Sequence, residues 1–158
     1  MSDKRREEHI RDAIQTAVES VDSGGGPFGA VVVKDGRVVA RAGNRVTLDN
    51  DPTAHAEIVA IRTACEVLGS FQLEGCELYC SSEPCPMCLG AVYWARPDAV
   101  YYANGREVAL AAGFDDHHIY EEMLRPPEQR RFPLGRIEVE GADEPFRRWG
   151  EKRDRVEY

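Results

Sequence analysis

Two short motifs contain the residues of this sequence that are best suited to chemistry. His55 and Glu57 lie two positions apart in TAHAE, and Cys85 and Cys88 lie three positions apart in SSEPCPMC. One imidazole and two thiolates are three zinc ligands, and three protein ligands plus one water are typical of a catalytic zinc site. Zinc lowers the pKa of its bound water toward ~7. Glu57 is the wrong residue type to complete a thiolate-rich site, so its natural role is general acid and base beside that water.

The first motif is expected to lie where a helix begins. Apolar residues recur at helical spacing over about residues 54–68, and either Asp51 or Thr53 can cap this helix. Both choices place His55 and Glu57 near the helix N-terminus. There, side chains two positions apart can approach one point just beyond the helix.

The second motif is also expected at a helix start. Cys85 can cap a helix over about residues 86–95, with Pro86 as its first residue, where the missing N–H costs little. Cys88 then lies one turn further, on the same side as Cys85. The positive N-terminus of the helix lowers thiol pKa values, so both sulfurs can converge on one point as thiolates.

Strands and helices alternate along the rest of the chain. Asp-Gly in KDGR favours a hairpin turn between two strands. The remaining predicted elements are a helix over 5–22, strands at CELYCS and DAVYYA, helical pieces over 106–123 broken at Gly113, an edge strand at RIEVEG and a helix over 144–153. This alternation predicts an α/β fold whose sheet is covered on both faces.

The composition is that of an ordinary globular domain. The chain has 158 residues, 42% apolar and 30% charged, which suits one domain over residues 1–158. The formal charge of −8 argues against a nucleic-acid partner. No apolar run approaches the ~20 residues of a membrane helix, and the N-terminus is too polar for a signal peptide. We therefore expect a cytoplasmic protein without a membrane partner.

A wider resemblance rests on both motifs together. His55-Ala56-Glu57 followed by Pro84-Cys85-Pro86-Met87-Cys88 is the signature of zinc nucleobase and nucleoside deaminases. The stretches GGPFGAVVVKDG, NDPTAHAEIVAIRTAC, EPCPMCLGAVYWARP and AAGFDD are similar to the guanine deaminase branch of the cytidine deaminase superfamily. This likeness covers most of residues 25–120.

The resemblance implies a fold, an activity and a metal. The fold is a three-layer α/β/α cytidine deaminase-like fold around a five-stranded mixed sheet. The activity is hydrolytic deamination of guanine to xanthine and ammonia, with Zn²⁺ held by His55, Cys85 and Cys88. By position, Glu57 takes a proton from the zinc water, delivers it to the ring nitrogen beside C2 and assists the departure of ammonia.

The same resemblance implies contacts with a purine base and with a second copy. The residues that match substrate positions are Phe28, Asn44, Ala56, Trp94, Phe114, Asp116 and Tyr158. Core packing for the aromatic residues and helix capping for Asp116 are the competing interpretations. Some members of this branch are homodimers that exchange their C-terminal segments, here about residues 133–158, which brings Tyr158 into the partner's site.

Other functions use some of the same residues. Guanosine deaminase is the nearest alternative, followed by deamination of cytosine or a triazine; the −8 charge weakens the case for a tRNA adenosine deaminase. A non-catalytic zinc-stabilised interaction domain, with Cys80 or Cys76 as fourth ligand, leaves Glu57 unused. A thioredoxin-like redox pair in CPMC leaves HAE unexplained.

Overall fold

The computed structural model describes residues 3–158, which separate into two units. The first unit ends at Asp116, and the second is His117–Tyr158. Each unit is described by itself below. Within the described residues, no helix is both long enough and apolar enough to cross a membrane.

The first unit alternates helices and strands, as predicted. In chain order its elements are α1 (Asp3–Asp22), β1 (Gly26–Lys34), β2 (Arg37–Asn44), α2 (Val46–Asp49), α3 (Ala56–Leu68), β3 (Cys76–Ser82), α4 (Pro86–Ala95), β4 (Ala99–Asn104) and α5 (Arg106–Ala111). The four-residue helix α2 was not predicted, because too few residues form it to show a period. The other elements agree with the sequence patterns.

The sheet is mixed and has four strands in the order β2-β1-β3-β4. β1 pairs antiparallel with β2 and with β3, whereas β3 and β4 run parallel. The five-stranded sheet and the edge strand at RIEVEG are therefore wrong for the described chain. The apolar residues behind that strand prediction, Ile137 and Val139, are 85% and 65% exposed, so no neighbouring strand covers them.

Side chains of the central strands alternate between two buried faces, as the two-residue period of a strand requires. Val31 and Val33 of β1 pack with Tyr79 and with Ala13 of α1. The alternate residues of β1 and β3 pack against α3 and the end of α4. The first unit therefore has the predicted three layers, with the sheet between α1 and the pair α3 and α4.

Two glycines have a clear structural reason: one forms a turn and the other lets a helix approach the sheet. Asp35 and Gly36 both have positive φ, 50° and 73°, which is the type I′ hairpin that Asp-Gly favours. Gly29 of β1 lies directly against the backbone of α1 at Ala13, where an added Cβ would collide. Gly29 therefore lets α1 lie close on the sheet.

The second unit contains two short helices and a long irregular stretch. Its elements are α6 (His117–Leu124), a single 3-10 turn (Pro127–Gln129) and α7 (Glu144–Glu151). Arg147 pairs with Glu144 at 2.7 Å and with Glu151 at 2.6 Å, which braces one face of α7. In the first unit, Gly113 has a positive φ just after the end of α5, so the break predicted at this glycine is confirmed.

Candidate metal centre

His55 is the N-cap residue of α3, and its carbonyl accepts the first helical bond from the Val59 amide at 3.0 Å. The prediction that Asp51 or Thr53 caps this helix is wrong. The Asp51 carboxylate instead accepts the backbone N–H and the hydroxyl of Thr53, at 2.8 and 2.7 Å. Asp51 and Thr53 therefore hydrogen-bond with each other in a local turn and do not cap the helix, and His55 takes the N-cap position.

Cys85 is the N-cap of α4 and Pro86 is its first residue, as predicted. The amide of Leu89 donates to the Cys85 carbonyl at 2.8 Å, which sets the first turn. Cys88 then lies one turn into the helix and is fully buried. Both sulfurs are therefore at the N-terminal end of α4, where the partial positive charge of the helix favours thiolates.

The donor atoms of His55, Cys85 and Cys88 converge at the distances that a tetrahedral metal requires. His55 Nδ1 lies 3.5 Å from the sulfur of Cys85 and 3.5 Å from that of Cys88. All three donor atoms lie within 4.8 Å of one another. Zinc bonds of about 2.05 Å to nitrogen and about 2.3 Å to sulfur, at a tetrahedral angle, predict about 3.6 Å between N and S. The residues present therefore fit zinc.

The pKa values of the two thiols shift in opposite directions. A hydrogen bond from Cys88 is the main reason that the pKa of Cys85 falls to about 4. The same bond and burial raise the pKa of Cys88. Hydrogen bonding with Cys85 raises the pKa of His55. Zinc binds thiolates and a neutral imidazole, so the raised pKa values of His55 and Cys88 make protons compete with the metal at these two residues.

Glu57 lies beside this cluster but is not one of its three ligands. It is in the first turn of α3, and only 7% of it is exposed. Burial is the main cause that raises its pKa. A buried carboxyl group with a raised pKa, next to a metal ligand, is suited both to accept and to donate a proton.

The remaining cysteines pack in the core or against it. Cys76 and Cys80 are buried in the cluster between the sheet and α3, and Cys65 packs against that cluster. All five cysteines are free. Among the described residues, the group placed to hold a metal ion consists of His55, Cys85 and Cys88. The alternative in which Cys80 or Cys76 supplies a fourth ligand is therefore wrong.

Three of the predicted substrate residues, Phe28, Phe114 and Asn44, lie in the same unit as the candidate metal ligands. Phe28 meets Phe114 edge to face, with ring centroids 4.9 Å apart, and packs on the core. Asn44 ends β2 and is buried, and the next amide, that of Arg45, donates to the Ala54 carbonyl at 2.9 Å. That bond fixes the end of β2 beside the residue that precedes His55. Contact of these side chains with a base stays a prediction.

Ala56, Asp116 and Trp94 occupy very different positions. The Ala56 side chain is fully buried in the core, so it can reach a base only through its backbone. Burial, and next the charge of Cys85, raises the pKa of Asp116, which lies within electrostatic reach of the cluster. Trp94 is 63% exposed and lies in the last turn of α4. Six residues from Cys88 are about 9 Å along a helix, so α4 does not bring Trp94 to the ligands.

Tyr158 ends the second unit and is exposed in the single chain. Its role therefore stays a prediction. Sequence reasoning missed the supports of the site, notably the buried hydroxyl of Ser81, which accepts the Gly29 amide at 3.0 Å. The two residues are 52 positions apart, so no local pattern marks the pair.

Comparison with known proteins agrees with this geometry. The family model of the cytidine and deoxycytidylate deaminase zinc-binding region matches residues 3–104, which include the three metal ligands and Glu57. Guanine deaminase from Bacillus subtilis is 52% identical over 153 residues, 96% of this chain and 98% of that protein. The tRNA-specific adenosine deaminase from Agrobacterium fabrum is 57% identical over 76 residues, 48% of this chain and 50% of that protein.

The fold agrees as well. The X-ray structure of guanine deaminase from Bacillus subtilis matches with a TM-score of 0.95 and 50% identity, covering 100% of this chain and 99% of that one. The predicted cytidine deaminase-like α/β fold is thus confirmed. The zinc-binding family and the fit of the three donors together identify zinc as the metal.

Proposed function

The chain belongs to the cytidine and deoxycytidylate deaminase zinc-binding family, and we propose that it is a zinc-dependent hydrolase that converts guanine to xanthine and ammonia. One observation carries this proposal. The likeness to a guanine deaminase extends over 96% of the chain, including the segment after residue 104 where the family model ends. The likeness to a tRNA-specific adenosine deaminase covers 48% of the chain. The extent of the likeness to the guanine deaminase supports guanine over a tRNA substrate.

Zn²⁺ bound by His55, Cys85 and Cys88 supplies Lewis acidity and lowers the pKa of water. Glu57 then moves protons. Its carboxylate takes a proton from the attacking water and delivers it to the guanine ring nitrogen beside C2. The carboxylate then takes the remaining proton from the oxygen added at C2 and gives it to the amino group. The C2–N bond breaks, the C2 carbonyl of xanthine forms, and the amino group leaves as ammonia. Burial of Glu57 supports this role, because it raises the carboxyl pKa toward the range where one group serves as acid and base.

The purine base lies between aromatic side chains on one side and groups that hydrogen-bond it on the other. Phe28 and Phe114 form the aromatic side, since their rings already contact each other at right angles. The Asn44 amide and the Ala56 backbone hydrogen-bond one edge of the purine. The Asp116 carboxylate accepts an N–H group of guanine.

The direct test is an ammonia-release assay over guanine, guanosine, adenine, cytosine, cytidine and ammeline. Each compound is measured with zinc-loaded protein and with protein stripped by a chelator and then reloaded with zinc. We expect guanine to be the best substrate, with activity lost on stripping and recovered on reloading. Turnover of guanosine above that of guanine would contradict the proposal, because the ribose must then fit the site.

We also propose that the chain is a homodimer that exchanges its C-terminal segment, about residues 133–158. Large apolar side chains of this segment are exposed in the single chain: Leu134, Ile137, Val139, Phe146 and Val156. Exposed apolar patches of this kind mark interaction surfaces. Exchange of an identical element is a low-cost route to a dimer, and it would place Tyr158 against the partner's base.

Sedimentation of two variants tests the dimer. Replacing Ile137 and Phe146 with Asp puts charges on the proposed buried surface, so we expect the double variant to sediment as a monomer. Arg136→Gln, an exposed change beside Ile137, is the control that should remain dimeric. A wild-type chain that sediments as a monomer at micromolar concentration would rule the dimer out.

A further inference from the structure

Residues 105–116 form an arm that carries two of the proposed base contacts, Phe114 and Asp116. The arm begins with α5, none of whose side chains is buried. Its far end turns at Gly113, and the Phe114 amide donates to the Ala109 carbonyl at 3.0 Å. Because little of the arm is buried, its position depends on what holds its two ends. The contact of Phe114 with Phe28 holds the far end.

An ion pair holds the near end. Arg106 Nε lies 3.3 Å from Glu83 Oε1. The Glu83 amide donates to the Asn104 carbonyl at 2.8 Å, so backbone and side chain of Glu83 both hold the start of the arm. Glu83 stands two residues before the metal ligand Cys85. The ion pair therefore joins the arm to the loop that carries the metal ligands.

The charges of Arg106 and Glu83 both affect the pKa of Asp116. Burial raises the pKa of the Asp116 carboxyl, and Arg106 opposes that rise whereas Glu83 adds to it. Both members of the pair therefore lie within electrostatic reach of Asp116. Arg106 is 45% exposed and Glu83 is 23% exposed, and an ion pair with this access to solvent contributes little to stability, so its effect is expected on the position of the arm.

We propose that Glu83 and Arg106 are positioning residues for substrate binding, which hold the 105–116 arm against the metal-binding loop so that Asp116 meets the base. This inference rests on the proposed function, because Asp116 reads guanine only if guanine is the substrate. Neither residue touches the base, and neither takes part in proton transfer. Loss of either one shifts the arm and weakens guanine binding while zinc stays in place.

Calorimetric titration of guanine into variants made in a Glu57→Gln background tests the inference, because that background slows guanine turnover by at least about 10²-fold. The variants are Glu83→Gln, Arg106→Gln, the double variant and Arg106→Lys. We expect each Gln substitution to raise the Kd of guanine about tenfold, and the double variant to be no worse than either single one, because both remove one interaction. Arg106→Lys keeps the charge and should lose less than about threefold.

Arg41→Gln is the matched control, because Arg41 forms a different exposed ion pair, with Asp12 at 2.6 Å. It should leave the Kd unchanged, and every variant should keep its zinc. An unchanged Kd in the Gln variants, multiplied effects in the double variant, or zinc loss that parallels the binding loss would overturn the inference. Failure of the Glu57→Gln parent to bind guanine would overturn the proposed function, and this inference with it.

Discussion

Replacement of Glu57 by Gln separates chemistry from metal binding. Gln has the shape of Glu but cannot take up and release the proton. Glu57 is 7% exposed in the first turn of α3, so a base in bulk water has little access to its position. A general acid–base residue contributes at least about 10²-fold to the rate. We therefore expect kcat for guanine to fall by at least about 10²-fold, which corresponds to about 2.7 kcal/mol of barrier height.

The fold and the metal should survive this change. Glu57 is not one of the three convergent ligands, so the variant should keep one zinc per chain. Burial raises the Glu57 pKa, which means that the charged form is disfavoured in the folded chain. A neutral amide avoids that penalty, and we expect the free energy of unfolding to change by no more than about 1 kcal/mol.

Steady-state ammonia release, metal analysis and thermal unfolding of the same preparation measure these three quantities. Glu66→Gln is the control, because Glu66 is exposed on the same helix. It should match the wild type in all three measurements. Near-normal turnover of Glu57→Gln would show that another group moves the proton. Loss of zinc from that variant would show that Glu57 belongs to the metal site.

The remaining predictions concern the metal ligands and the tail. Metal analysis should find that Cys85→Ser loses zinc and much stability, because metal binding is coupled to folding, whereas the core substitution Cys80→Ser keeps zinc. Competition with a chelator at different pH values should show zinc affinity falling as pH falls. Because the pKa of His55 is raised, protons should compete from above its usual ~6.5, and a flat profile down to pH ~5 would contradict this. Deleting Glu157 and Tyr158 should leave zinc and fold intact, weaken guanine turnover and relax discrimination between amino-heterocycles. Full-rate guanine turnover by that truncated chain would remove Tyr158 from the site.

The sequence predicted the metal centre well because its determinants are local. Pro86 can start a helix from its own geometry, so the capping position of Cys85 follows from neighbouring residues. Asp-Gly determined its turn in the same way. The cap of α3 was misassigned because Asp51 has two local uses, and its turn with Thr53 prevailed over the helix end.

Long-range features were beyond the reach of sequence patterns. Apolar alternation in RIEVEG indicates a strand, but a strand needs a partner, and the described chain offers none to Ile137 and Val139. The apolar residues of α4 run around the whole helix, so the pattern could not tell which side Trp94 faces. Glu83 follows β3 and Arg106 follows the neighbouring strand β4, and neither residue type marks their pairing in advance.

Hydrolysis of guanine in oxygen-18-labelled water tests the central claim most directly. The zinc-loaded chain is incubated with guanine, and the products are measured by mass spectrometry together with the ammonia released. The account predicts xanthine with the heavy oxygen at C2, one ammonia for each xanthine, and no product from the zinc-free chain. Unlabelled xanthine, or no xanthine from protein that holds one zinc per chain, would contradict it.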